Sequence, residues 1–380
     1  MTTKPFRLGL IGGGINSAVG RTHFIAAQMD GLFSVEAGCF SRHADINKKT
    51  ANLWGIESQR VHSTWVAMLA EEQGRLDAIV VLTPTPHHRL PVISALRAGF
   101  AVICEKALAS SSEEAAEMDQ VARATGNLLA VTYNYTGYPM LRELRQMIRD
   151  GRLGRVEQIH IEMPQEGFAR LDRNGNPMVP QQWRLSDGVV PTISLDLGVH
   201  VHHLVDFLTG VKPREVVATQ TSLGRFRQVI DNTMALVSYR DGMEGHFWFS
   251  KAALGHRNGL RVRVYGEEGA AEWFQMDPEI LHFSDNLGQQ RRIDRASPDV
   301  KLAHLERYNR FKSGHPAGFL EAFANLYADI AQRMGKAIGC EADNEDYVFT
   351  ARQAREGLIL LEAIDRSARE RRWITINMEA

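Results

Sequence analysis

The sequence predicts an α/β protein in two parts: an N-terminal domain on a doubly wound parallel sheet over residues 1–135, and a C-terminal α/β domain with a large, mainly antiparallel open sheet over 136–380. Three observations carry this reading. At 380 residues the chain exceeds the size at which one hydrophobic core normally stops growing. From residue 7 to about 135, short apolar runs alternate with segments of helical period, the pattern of serial βαβ units. After residue 151 strand-like runs follow one another directly, as in an antiparallel sheet.

In the first part, strands are expected at 7–11, 34–40, 77–82, 101–104 and 128–132, and helices at 19–29, 44–54, 65–72, 90–98 and 112–124. Runs this rich in Ile, Val, Leu and Ala suit strands covered on both faces. Ser112, followed by Glu113 and Glu114, reads as an N-cap with acidic first-turn residues at the positive end of a helix dipole. In the second part, strands are expected at 156–162, 213–221, 233–239, 245–249, 260–265 and 271–274, with helices at 195–208, 316–334 and 344–371. The last helix is long enough to pack back on the first domain or cross to it. Residues 165–186, with Gly167, Gly175, Pro177 and Pro180, read as a long loop, a class of segment that disproportionately carries function.

A formal charge of −1, with 44% hydrophobic and 23% charged residues, gives no electrostatic reason to expect nucleic acid or an anionic membrane as partner. A small neutral ligand fits better. Cys39, Cys104 and Cys340 are far apart and odd in number, which matches neither a disulfide framework nor a CxxC metal site. The apolar stretch after Lys4 and Arg7 is too short for a signal-peptide core, and no apolar run approaches the length of a bilayer span, so a cytoplasmic location is expected.

Directly after the first strand stands Gly12-Gly13-Gly14-Ile15-Asn16-Ser17-Ala18-Val19-Gly20, opening into a helix. In a strand-turn-helix context this is a Rossmann-type site, where a dinucleotide pyrophosphate rests on backbone N–H groups and the helix dipole. Gly12 makes the tight turn, Gly14 lets the backbone approach the phosphates beside Ile15 and Asn16, and Gly20 takes the third glycine's packing role because Ser17 occupies its usual place. Outside that context such a cluster is an ordinary turn. At the end of the second strand, where an acidic residue would hold the ribose of NAD, stand Ser41 and Arg42. A hydroxyl beside a guanidinium accepts a 2′-phosphate, which tilts the cofactor, NAD(P), toward NADP. Arg42 as a solvated residue stacking on adenine remains open.

Three further segments carry chemistry: Thr83-Pro84-Thr85-Pro86-His87-His88, Cys104-Glu105-Lys106, and Asp196-Leu197-Gly198-Val199-His200. Together they resemble the Gfo/Idh/MocA oxidoreductase family, whose members carry a P-N-x-x-H turn after the fourth strand, E-K-P after the fifth, and D-x-G-x-H opening a helix of the second domain. The resemblance runs nearly end to end, from Leu8-Gly9-Leu10-Ile11-Gly12 through Asn134-Tyr135 to Gly314-His315-Pro316 and the helix beyond. It implies an NAD(P)-dependent enzyme moving a hydride to or from a hydroxyl carbon of a sugar, anhydrosugar or cyclitol. It makes Lys106 the catalytic lysine and Asp196 with His200 the acid-base and substrate-binding pair. Thr83, Pro84, His88 and Asn134 fall on the cofactor, and Glu105 helps fix its nicotinamide end.

The physical logic agrees. Lys106 follows a sheet strand at its carboxyl end, and Asp196 and His200 stand one helical turn apart. His200 has the intrinsic pKa of a proton carrier, Lys106 suits an alkoxide clamp and proton relay, and Asp196 an orienter. Outside the combined pattern, such an Asp and His are ordinarily a surface pair and such a lysine a solvated charge. Two departures stand out: Ala107 replaces the proline of E-K-P, and Thr85 the usual asparagine. Tyr135, Trp183 and Arg184 are candidate substrate contacts, aromatic faces suiting a sugar's C–H side. His203 is either a pocket residue or a core histidine. No metal is expected, because His200 and His203 lack a third ligand at metal spacing beyond Asp196.

Other readings stay open: a sugar-nucleotide 3-dehydrogenase or ketoreductase using Arg170, Arg173 and Arg184 on a diphosphate; a glycosidase that oxidises and re-reduces within one cycle; and a non-catalytic dinucleotide sensor. The family resemblance also implies a homodimer or homotetramer formed through the open sheet.

Overall fold

The computed structural model describes residues 4–335 and 347–378; Cys340 and the expected helix start at 344–346 lie outside them. In chain order the first elements are β1 (Phe6–Gly12), α1 (Gly20–Gln28), β2 (Phe33–Cys39), α2 (Ala44–Trp54), α3 (Trp65–Glu71), β3 (Ala78–Leu82), α4 (Arg89–Arg97), β4 (Ala101–Glu105), α5 (Ser112–Thr125) and β5 (Leu129–Thr132). The five strands form one parallel sheet in the order β2-β1-β3-β4-β5. The order reverses beside β1, so β1 and β3 flank the switch point outside whose carboxyl ends such sheets bind ligands.

Why these residues make this sheet is visible in their burial. Leu8, Leu10, Ile79, Val80, Val102, Ile103 and Val131 are all essentially inaccessible to solvent, as continuous apolar strands demand when helices cover both faces. The helix termini follow local chemistry. The N-cap of α5 is Ser111 rather than the expected Ser112: its hydroxyl accepts the Glu114 amide at 3.2 Å, and the Glu114 carboxylate reaches back to the Ser110 amide at 3.0 Å. This reciprocal capping is worth about 1 kcal/mol.

The second series comprises α6 (Pro139–Arg149), β6 (Val156–Pro164), α7 (Val199–Thr209), β7 (Pro213–Thr221), β8 (Asn232–Tyr239), β9 (Glu244–Ser250), β10 (Arg261–Gly266), β11 (Gly269–Phe274), β12 (Asp277–Asp285) and β13 (Gln290–Ile293). After it come α8 (Phe319–Arg333), α9 (Ala351–Glu370) and β14 (Ile374–Thr375). Nine strands form the second sheet, ordered β13-β12-β11-β10-β6-β9-β8-β7-β14. Every ladder in it is antiparallel except that between β6 and β9, which is parallel. Inward Ile159, Ile161, Phe247, Phe249, Val262 and Val264 are buried, and they alternate with partly exposed His160, Glu162, His246, Trp248, Arg261 and Arg263. This period-2 pattern marks a sheet with one covered and one open face.

Two compact units result, residues 1–137 with 319–355 and residues 138–318 with 356–380. The first junction lies close to the expected 135/136. The second corrects the sequence expectation, since α8 rejoins the N-terminal unit and packs on α1, its Phe323, Leu326, Tyr327 and Ile330 entering one core with Leu8, Phe33, Val80 and Ile103. Of α9, residues 351–355 belong to the first unit and the remainder to the second. No helix among the described residues is long and apolar enough to cross a membrane.

The tightest backbone approach in the first unit joins α1 to the glycine turn: a Cβ on Gly20 would lie 1.8 Å from the Gly13 carbonyl oxygen. Gly20→Ala should therefore destabilise the protein by about 1–3 kcal/mol, the ordinary penalty of forced overpacking. Chemical denaturation of the two proteins measures this, and an unchanged midpoint would mean that α1 is not seated on the turn.

Candidate functional site

At the carboxyl end of β1, Gly12 pairs with Leu82 of β3 and turns at φ 81°. The turn is then tied down by its own side chains and neighbours. The Ser17 hydroxyl accepts the amides of Val19 and Gly20 at 3.3 and 3.2 Å, the Gly14 amide donates to the Phe40 carbonyl at 3.2 Å, and the Ile15 amide donates to the Thr50 hydroxyl at 3.1 Å. Ile15 and Asn16 form the exposed tip. Beyond β2, both main-chain groups of Ser41 are gripped by the buried Asn47 carboxamide at 2.8 Å, which leaves Arg42 exposed on a fixed backbone. Asn134, only 3% exposed, carries a side-chain nitrogen with no hydrogen-bond partner. A glycine turn at the switch point, a helix N-terminus behind it and an unsatisfied buried amide donor fit a dinucleotide.

The turns after β3 and β4 are stapled together by His88. Its Nε2 faces the Thr83 carbonyl at 2.6 Å, and its Nδ1 faces the carbonyls of Ala107 and Leu108 at 2.9 and 3.2 Å. Burial pushes this imidazole below its usual pKa, with the carbonyl contacts and the Glu105 charge pulling the other way. His88, expected on the cofactor, here stands with its ring between the two turns, and one ring nitrogen at a time can donate to these carbonyls. Thr83 closes the same turn by donating its hydroxyl to the His87 carbonyl at 3.0 Å, and Pro84 stays exposed.

Glu105 is anchored inward. Its Oε1 accepts the Thr132 hydroxyl at 2.5 Å and faces His23 Nε2 at 3.1 Å, while His23 Nδ1 faces the Tyr327 hydroxyl at 2.8 Å. Burial alone would raise the Glu105 pKa; the His23 hydrogen bond and charge, the Lys106 charge and the Thr132 hydroxyl outweigh it and hold the carboxyl below the usual range. Lys106 follows directly, half-buried at the end of β4, and its peptide bond to Ala107 is cis. Nothing in the sequence marks His23 and Thr132 as its supports, since they come from distant elements.

In the second unit, Asp196 lies in a π-helical turn, Ser194–Gly198, that runs straight into α7, where His200 is 4% exposed. The Asp196 carboxylate pairs with Arg184 and with Lys251. Arg184 belongs to the 3-10 turn Gln182–Leu185 and stacks 4.5 Å from the Trp183 ring centroid, whose indole N–H donates to Gln181 at 2.9 Å. Lys251, just past β9, escaped the sequence reading, because nothing but its position at a strand end sets it apart. His203 is 3% exposed, and burial pushes its pKa to about 3. Tyr135 is likewise buried, 6.4 Å from the Phe319 ring, within the first unit.

Residues 6–133 match the oxidoreductase family described as an NAD-binding Rossmann fold, and residues 141–272 match the GFO/IDH/MocA C-terminal domain. The chain is 31% identical over 340 residues to a Bacillus subtilis (strain 168) protein described as uncharacterized oxidoreductase YfiI, covering 87% of this chain and 85% of that one. A crystal structure of an oxidoreductase from Sinorhizobium meliloti superposes with a TM-score of 0.85 at 32% identity, covering 98% of this chain and 100% of the other. An inositol dehydrogenase homolog from Azotobacter vinelandii, complexed with NADH and myo-inositol, gives 0.87 at 26% identity and 98% coverage of both.

A glutamate whose folded pKa is depressed adds stability above its unfolded value near 4.5 and loses that contribution as pH falls through the lower, folded value. Glu105→Gln should therefore lower stability at pH 7 by roughly 1–3 kcal/mol. The gap to wild type should close as pH drops below about 4.5. Thermal melts between pH 3 and 7 measure both effects, and parallel curves would rule out a stabilised carboxylate.

Proposed function

Since the chain belongs to the Gfo/Idh/MocA family of NAD-binding oxidoreductases, we propose that it oxidises a secondary alcohol of a sugar, anhydrosugar or cyclitol reversibly to the ketone, through Lys106, Asp196 and His200. The observation that carries the reading is the placement of Lys106 beside an inwardly anchored Glu105 at the carboxyl end of β4, on the ligand-binding edge of the parallel sheet. NAD(P) supplies the hydride acceptor when bound. The residues to hold it are the turn at Gly12, Gly14, Ile15 and Asn16, Ser41 with Arg42, the Thr83-Pro84 turn, and Asn134.

The remaining chemistry falls to the chain's own groups. His200 accepts the hydroxyl proton that Lys106 relays, the Lys106 ammonium stabilises the developing alkoxide, and Asp196 orients the substrate or the histidine. Trp183, Arg184 and Tyr135 are the further substrate contacts of this reading. Arg170 lies 3.0 Å from Glu166, and Arg184 is on Asp196. Two of the three cations that a nucleotide diphosphate needs thus already face carboxylates, which favours a free polyol over a sugar nucleotide. Ser41 and Arg42 favour NADP, and the open face of the second sheet, with Met234, Leu236 and Tyr265 exposed, favours a homo-oligomer.

Wild type incubated with a panel of sugars and cyclitols should generate the absorbance of reduced nicotinamide. Lys106→Ala should lower turnover by about 100-fold or more while preserving the melting shift induced by NAD(P). Unchanged turnover would remove Lys106 from the mechanism. For cofactor choice, Arg42→Ala should weaken NADP by about 10-fold and NAD hardly at all; equal losses would eliminate the preference.

A further inference from the structure

Lys251 is held more firmly than an ordinary lysine at a strand end. Its amide donates to the Asp231 carbonyl at 2.8 Å, and its own carbonyl accepts the Phe168 amide at 2.8 Å. Its ammonium lies 5.5 Å from the Phe168 ring centroid and pairs with Asp196, and its side chain is 12% exposed. The supports of this placement are themselves fixed. The buried Asp231 carboxylate accepts the amides of Leu223 and Gly224 at 2.8 and 2.7 Å, and Phe168 packs edge-on against Phe226 at 5.2 Å. The ammonium is thus delivered by a rigid strand end, whereas Arg184 reaches the same carboxylate oxygen from the far end of loop 165–186.

A carboxylate this enclosed has a defined direction only if its cations do. The geometry points to Lys251 as a positioning residue of the alcohol-ketone reaction: from the sheet it fixes the aim of Asp196, so that Asp196 meets the substrate in one orientation. This inference rests on the dehydrogenase reading above. It differs from a packing role in two respects. The effect of Lys251 must pass through Asp196, and it must depend on the positive charge rather than on the volume of the side chain.

The test uses the full chain, with NAD+, NADP+ and a panel of sugars and cyclitols that includes myo-inositol as probes, and four variants: Lys251→Met, Lys251→Arg, Asp196→Asn and the double Lys251→Met/Asp196→Asn. Lys251→Met should lower kcat/KM on the order of 100-fold, the scale of a misplaced reacting group, with the Kd for NAD+ unchanged. Lys251→Arg should recover most of that loss. The double variant should be no slower than Asp196→Asn alone, to within about 2-fold. Multiplying losses, an inactive Lys251→Arg of wild-type melting temperature, or an unaffected Lys251→Met would each overturn the proposal. Should the wild type be silent with every polyol, the dehydrogenase reading fails. The Lys251–Asp196 coupling is then decided by melting: a double-variant loss smaller than the sum of the single losses supports it, and additive losses overturn it.

Discussion

A carboxylate withdrawn from water must recover its donors inside the protein, and much of this molecule's irregular structure is arranged to meet that demand. Glu105 finds Thr132 and His23, and Asp231 finds the amides of Leu223 and Gly224. Asp187 accepts from the Thr192 amide and hydroxyl and from the Ile230 amide. Glu143, buried on α6, accepts the consecutive amides of Lys301, Leu302 and Ala303. Glu72, with no exposed side-chain surface, is held by Arg60 and His62. In each case a carboxylate gathers donors from other positions in the chain, and removing the acceptor would strand several donors at once.

Glu105 and Asp196 use different donors. A hydroxyl and an imidazole hold Glu105 from the core side, so the carboxylate anchors the end of β4 and sets the path of the backbone into Lys106. Asp196 is instead bracketed by two cations, one from the sheet and one from a loop. The donors of Glu105 lie in the interior of the first unit, whereas the paired cations of Asp196 leave a charged constellation at the start of α7. The first arrangement serves the fold and the second suits recognition of hydroxyl oxygens, which accept from ammonium and guanidinium groups alike.

The parallel sheet was legible because both its faces are covered, so its strands are unbroken apolar runs that register in the sequence directly. The glycine turn was legible for a related reason: Gly20 is required by a backbone contact that no side chain can satisfy. Elsewhere the signal was hidden. Buried Arg142 and Glu143 break the apolar face of α6, because their partners, Tyr308 and the 301–303 amides, lie far along the chain. Edge strand β13 reads Gln290-Arg291-Arg292-Ile293, with no apolar alternation to mark it. Lys251, His23 and Thr132 matter through contacts over long sequence separations, which local pattern cannot register.

The π-helical turn at Ser194–Gly198 places an irregularity inside the D-x-G-x-H motif. In an α-helix of 3.6 residues per turn, positions i and i+4 are displaced by roughly 40° around the axis. A turn closed by i→i+5 hydrogen bonds takes more residues per revolution, so the angle between Asp196 and His200 differs from that of a regular helix. Gly198 makes this possible sterically, since a Cβ there would meet Leu361 at 2.8 Å and Phe249 at 3.1 Å. The glycine of the D-x-G-x-H pattern therefore lets the widened turn sit closely against Leu361 and Phe249.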